Sequence, residues 1–122
     1  MNRMVVTVVL SLVFVFMSFA QVSAMSDEVN CRVRAEPFFF GVASFLIPGL
    51  GQFMNGQDGK ALVHLIVALG LPTAVLYVAS VMATASPSQS AMLVVAAPII
   101  YLAWGLYSAL DAYDVSQKYC RS

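Results

Sequence analysis

Three side chains are suited to proton or ligand chemistry: Lys60, His64 and Asp111. His64 is the only histidine, and it follows Lys60 by one helical turn at the start of an apolar segment. Asp111 closes the next apolar segment, so an antiparallel hairpin brings all three to one end. A His64–Asp111 pair just inside a membrane interface can hold a proton or bind a polar ligand, because ionisable groups in such segments are functional candidates. The structural reading is that Lys60 snorkels to water and Asp111 ends its helix among headgroups. The cost of burying such groups favours this structural pairing.

A second constellation is the stretch from Pro48 to Lys60, which holds Gly49, Gly51, Gly56 and Gly59 around Gln52, Asn55 and Gln57. Its spacing is not that of a phosphate-binding loop, and no strand precedes it. Glycine there serves tight turns and close helix contact, while Gln52, Asn55 and Gln57 hydrogen-bond loop backbone that lipid cannot satisfy. Cys31 and Cys120 fit no zinc or redox spacing, so no metal site or cofactor is expected. No nucleophile–base arrangement can be named, which argues against an enzyme.

The elements that must position these residues are membrane elements. The chain of 122 residues is 61% hydrophobic and 10% charged, against a globular norm of about 45–50% and about 25%. Six acidic and six basic residues balance, leaving no electrostatic footprint for nucleic acid. Residues 1–24 carry Arg3, an apolar run from Val5 to Met17 and small residues up to Ala24, as a signal peptide does. An uncleaved first membrane helix is the alternative. Residues 25–36 form an exposed polar tail. The run from Phe38 to Ile47 is ten residues long, about 15 Å of helix against a hydrocarbon core of about 30 Å. It therefore predicts a half-helix over residues 38–54 that enters the membrane without crossing.

Two spans follow, over residues 61–83 and 91–110, joined by a connector of turn formers around Pro87. Pro72 and Pro98 fall at about the same depth of the hairpin and predict matching kinks. Gly70 with Ala74, and Gly105 with Ala109, give small residues four apart that let helices approach closely in lipid. Trp104, Tyr107 and Tyr113 mark an interfacial end. From Asp111 onward the chain is read as a frayed, exposed end, with residues 119–122 as a C-terminal tail outside a membrane domain of residues 37–118.

The ordered set Pro48-Gly49-Leu50-Gly51-Gln52-Phe53, Asn55-Gly56-Gln57, Gly59-Lys60 and Asp111-Ala112-Tyr113 resembles small prokaryotic membrane proteins related to the two-transmembrane-helix domain family. The likeness covers roughly residues 37–118. Met54 stands where many relatives carry tyrosine, and the leader and flanking cysteines are further departures. The resemblance implies a compact membrane hairpin and supplies no catalytic residues.

Two topologies remain open. A half-inserted first segment with two crossings places Cys31 and Cys120 outside the cytoplasm, where they can form a disulfide. Three crossings would put Lys60, Lys118 and Arg121 in the cytoplasm, in line with the positive-inside tendency. The turn at Pro48-Gly49 and the short run before it favour the first. The sequence thus points to an all-α integral membrane protein: a re-entrant or interfacial half-helix followed by a kinked antiparallel transmembrane helical hairpin. It is expected as a multi-pass protein of the cell membrane, the bacterial inner membrane, with its mature N-terminus on the non-cytoplasmic side. The function expected is that of a non-enzymatic structural or accessory module in the lipid bilayer, associating as a homo-oligomer or with a larger membrane protein. The alternative is a component of a small oligomeric channel or transport system, with Gln52, Asn55, His64 and Asp111 lining a polar path.

Overall fold

The computed structural model describes residues 28–122 together with Arg3, Thr7, Leu10 and Phe14. The expected leader, with cleavage after Ala24 as the first choice and after Ala20 as the second, and the first residues of the tail otherwise lie outside the described residues. Among the described residues the chain is all-helical with no strand: α1 (Pro37–Leu46), α2 (Leu50–Met54), α3 (Asp58–Met82) and α4 (Pro87–Tyr119). Only α3 and α4, among the described helices, are long and apolar enough to cross a membrane. Their 25 and 33 residues reach about 37 and 50 Å.

Proline and glycine set the boundaries of the first two helices. Pro37 opens α1, where its missing N–H leaves nothing unsatisfied. Ile47 precedes Pro48, which disfavours helical backbone, and takes φ −129° and ψ 97°, ending α1. Gly49 then adopts φ 99°, a left-handed conformation that costs about 1–2 kcal/mol for a residue with a side chain, and α2 begins. The expected half-helix is therefore two helices joined by a sharp corner at residues 47–49.

That corner turns the chain back on itself. Along α1 the chain runs antiparallel to α4, from Gly41 beside Ala109 and Tyr113 to Phe45 over Gly105. It ends where the Tyr101 hydroxyl donates to the Leu46 carbonyl at 3.1 Å. Along α2 it returns, from Gly49 at Ser108 to Asn55 at Ala112. Both ends of the excursion lie together, since Asn30 N–H donates to Asn55 O at 3.1 Å and Arg32 N–H to Met54 O at 3.0 Å.

The antiparallel register of α3 and α4 is fixed at three levels. Lys60 Nζ meets Asp111 at 2.6 Å, Trp104 Nε1 donates to His64 O at 3.0 Å, and Ser90 Oγ donates to Ala79 O at 2.7 Å. This register sets Pro72 level with Pro98, and both helices continue through their prolines. The small pair Gly105 and Ala109 receives α1 rather than α3: a Cβ added at Gly105 would stand 2.9 Å from Phe45 O. Gly70 has nothing within 4 Å of such a position, and with Ala74 it faces outward.

Burial is inverted relative to a water-soluble bundle. The buried positions of α3 are Lys60, Ala61, His64, Ala68 and Ala79, and those of α4 are Ser90, Ala97, Gly105, Ser108, Ala112 and Ser116. No leucine, isoleucine or valine of either helix is buried. Small and polar residues take the fully buried positions, and the large aliphatic ones are exposed or half-buried.

The ends also differ from the sequence reading. Rather than fraying after Leu110, α4 continues to Tyr119, with Asp114 and Lys118 paired one turn apart at 2.7 Å. Cys120 is fully buried and sits at disulfide distance from Cys31, with Cα atoms 5.5 Å apart. Ala35 bridges to Arg121 beside it. The tail from Glu28 to Glu36 is thus a strap across the ends of α2 and α4, because its backbone amides find partners there.

Gly49→Ala should lower stability by at least about 2 kcal/mol, since the left-handed backbone and the carbonyl of Ala61 both oppose a methyl group. Gly70→Ala, at an open helix position, should leave the melting temperature in detergent unchanged or raise it.

Candidate functional site

The polar side chains gather where the corner between α1 and α2 meets the beginning of α3 and the last third of α4. A helix broken among apolar side chains exposes amides that those side chains cannot satisfy. Two serines answer them. Ser108 Oγ accepts from Gly49 N–H at 3.0 Å, and Ser44 Oγ accepts from Gly51 N–H at 2.9 Å. Both hydroxyls donate in turn to Gln52 Oε1, at 2.6 Å from Ser44 and 3.3 Å from Ser108.

Gln52 closes the network. Its Nε2 donates to Ser108 O at 3.0 Å and to Asp111 Oδ2 at 2.9 Å, so both ends of its amide are used while the side chain is fully buried. Gly51 permits this, as a Cβ there would fall 2.6 Å from that of Ala112. The other Asp111 oxygen accepts from Lys60 Nζ at 2.6 Å, with Lys60 8% and Asp111 20% exposed. One carboxylate therefore joins α2, α3 and α4.

His64 lies beside this ion pair, one turn further along α3. Its Nε2 is 3.9 Å from Asp111 Oδ2, beyond hydrogen-bonding reach. The ring is wholly buried and packs against Trp104 and Tyr107, at centroid distances of 5.1 and 5.7 Å. Among the described residues neither ring nitrogen has a hydrogen-bond partner. The structure thus brings Lys60, His64 and Asp111 together, with Lys60 rather than His64 as the direct partner of the carboxylate.

The remaining motif residues lie around this centre. Asn55 Nδ2 donates to Ala112 O at 3.3 Å, Gly56 takes φ 81° beneath Asn30, Tyr113 packs over Gly41, and Pro48 is buried at the corner. At the surface, Arg32 makes a two-pronged pair with Asp58 at 2.5 and 2.7 Å. The hydrogen bonds it donates to Asp58 hold the Arg32 guanidinium above its already high ordinary pKa. Among the described residues no three His, Cys, Asp or Glu side chains cluster as metal ligands.

Sequence reasoning missed Ser44, Ser108 and Tyr101. The signal was present for Ser108, which shares with Gly105, Ala112 and Ser116 the three-and-four spacing of one helix face. Ser44 and Tyr101 carry no such mark, because their role depends on where the corner falls against α4.

No family model matches the chain, and no curated protein or solved structure matches it either.

The ion pair is testable by a double-mutant cycle. Lys60→Met or Asp111→Leu alone should each cost about 3–5 kcal/mol by leaving a buried charge unpaired, and the double variant should cost clearly less than their sum. His64→Phe breaks no hydrogen bond of the ring, so thermal stability in detergent should be retained to within about 1 kcal/mol.

Proposed function

We propose that this protein is a small all-α integral membrane module of the cell membrane, non-enzymatic, acting structurally through lateral helix association. In this reading α3 and α4 are the spanning hairpin, bent at Pro72 and Pro98, and α1 with α2 is a re-entrant excursion from the non-cytoplasmic side. This is the compact hairpin that resemblance to the two-transmembrane-helix family implies. The observation that carries it is the inverted burial, with small and polar side chains at the fully enclosed positions and every leucine, isoleucine and valine of both long helices exposed or half-buried. Water would not support such a surface, and a hydrocarbon layer would.

Two features favour this reading over a channel component. Gln52, Asn55, His64 and Asp111 are enclosed within a single chain, and the polar atoms of Gln52 and Asp111 are engaged in its own hydrogen bonds. They would have to leave these partners to line a path. Meanwhile Gly70 and Ala74 sit four apart on an outward face with open space at Gly70, which suits close approach by a helix of a second copy or a larger membrane protein.

Single cysteines at Glu28 and Asp58 should label with an impermeant reagent from the non-cytoplasmic side of intact cells, and a cysteine at Thr84 only after permeabilisation. Opposite labelling of positions 28 and 58 would rule out the re-entrant arrangement. Replacing Gly70 and Ala74 together by isoleucine should weaken self-association or partner capture severalfold, read by cross-linking in membranes, while leaving the monomer folded.

A further inference from the structure

A groove of about 340 Å³ lies between α2 and α3, on the side of the corner away from α4. Its walls include Ile47, Leu50, Phe53, Leu62 and Leu65, all of them exposed. Asp58 lines the same groove, at the first residue of α3. From Asp58 to Leu65 the helix descends about 10 Å, so the groove runs from a charged mouth into an apolar interior.

The mouth carries a cation and an anion side by side. Arg32 stands over the Phe53 ring, its guanidinium carbon 4.3 Å from the ring centroid, and bonds both Asp58 oxygens. Its side chain is 41% exposed and that of Asp58 60% exposed. Arg32 gives three N–H bonds, two to Asp58 and one to Phe53 O, so among the described residues two of the five donors of a guanidinium are left over. A carboxylate accepts about four hydrogen bonds, so Asp58 keeps acceptor capacity as well.

We propose that this groove is a binding site for a phospholipid whose headgroup carries both a phosphate and a primary ammonium, a phosphatidylethanolamine-type lipid. One acyl chain lies along Ile47, Leu50, Leu62 and Leu65, the phosphate meets Arg32, and the ammonium donates to Asp58. The inference rests on the membrane reading above, because the depth of the groove is counted from the headgroup level. A zwitterion fits where a purely anionic headgroup does not: Asp58 repels a second negative group, whereas an ammonium completes an alternation of four charges. Choline shares the charge but has no N–H to donate, and this provides a discriminating ligand. The strap fixes the geometry, since Arg32 follows Cys31 directly and its own amide is bonded to Met54 O.

The test is native mass spectrometry of the full chain, released from membranes into detergent with equal amounts of ethanolamine, choline and glycerol phospholipids of identical acyl chains. The ethanolamine lipid should be retained roughly fivefold over the choline lipid, the worth of one charge-assisted hydrogen bond at a half-exposed site. Asp58→Asn should abolish that preference, Arg32→Gln should weaken retention of all three lipids, and Leu62→Trp should do the same by filling the groove. The unaltered protein can also be titrated with stepwise N-methylated ethanolamine lipids, where retention should fall as N–H groups are lost. Equal retention of all three headgroups, or a preference that survives Asp58→Asn, would overturn the site while leaving a membrane-integrated protein intact. Extraction of the chain from membranes by alkaline carbonate would overturn both this site and the reading on which it rests.

Discussion

The structure depends on satisfying a backbone that Pro48 breaks inside an apolar shell. Once α1 stops at Leu46, the N–H groups of Gly49 and Gly51 and the carbonyl of Leu46 need partners that aliphatic side chains cannot offer. Ser108, Ser44 and Tyr101 supply them, and Gln52 ties the two serines to Asp111. Each orphaned buried group would cost on the order of 1–3 kcal/mol. Several such groups together are comparable to the whole stability of a small domain, about 5–15 kcal/mol. The position of the corner and the identity of its partners are therefore a single constraint.

That constraint orders the rest of the bundle. Gly51 must be glycine for Gln52 to sit against α4, and Gly105 must be small for α1 to lie beside it. With α1 and α2 occupying one side of α4, α3 packs on another through alanine, histidine and lysine. Asp111 then stands at the meeting of three helices, neutralised by Lys60. A buried ion pair is weak support for stability by itself, but removal of either partner is severe. Here it also sets the level at which α3 docks, because Asp111 meets Lys60 while the other carboxylate of α4, Asp114, pairs with Lys118 at the surface.

Much of this was legible in the chain. The apolar runs gave two long helices, the turn at Pro48-Gly49 gave the break, and the clustering of Lys60, His64 and Asp111 followed from their places at the same end of the hairpin. Helix ends were less legible: α4 runs past Leu110 because Asp114 and Lys118 pair on its surface and Cys120 is buried beneath the tail. The tail offered no periodicity to read, and its fixed path comes from backbone bonds to Met54 and Asn55, which leave no mark in the side-chain pattern. The division of labour between two small-residue pairs was hidden as well, because spacing shows that Gly70 and Gly105 permit close approach but not which neighbour arrives.

The pairing of Cys31 with Cys120 encloses all four helices in one loop, across a sequence separation of 89 residues. In the chain-entropy account, closing a loop of that size stabilises the folded state by about 4–5 kcal/mol. Its second consequence is mechanical. Cys31 precedes α1 and Cys120 follows α4, fully buried beneath the tail, so in the folded chain the two sulfurs are held together only while the last helix stays docked. The bond thus locks the tail and the end of α4 to each other, and slippage of either helix end would have to stretch it.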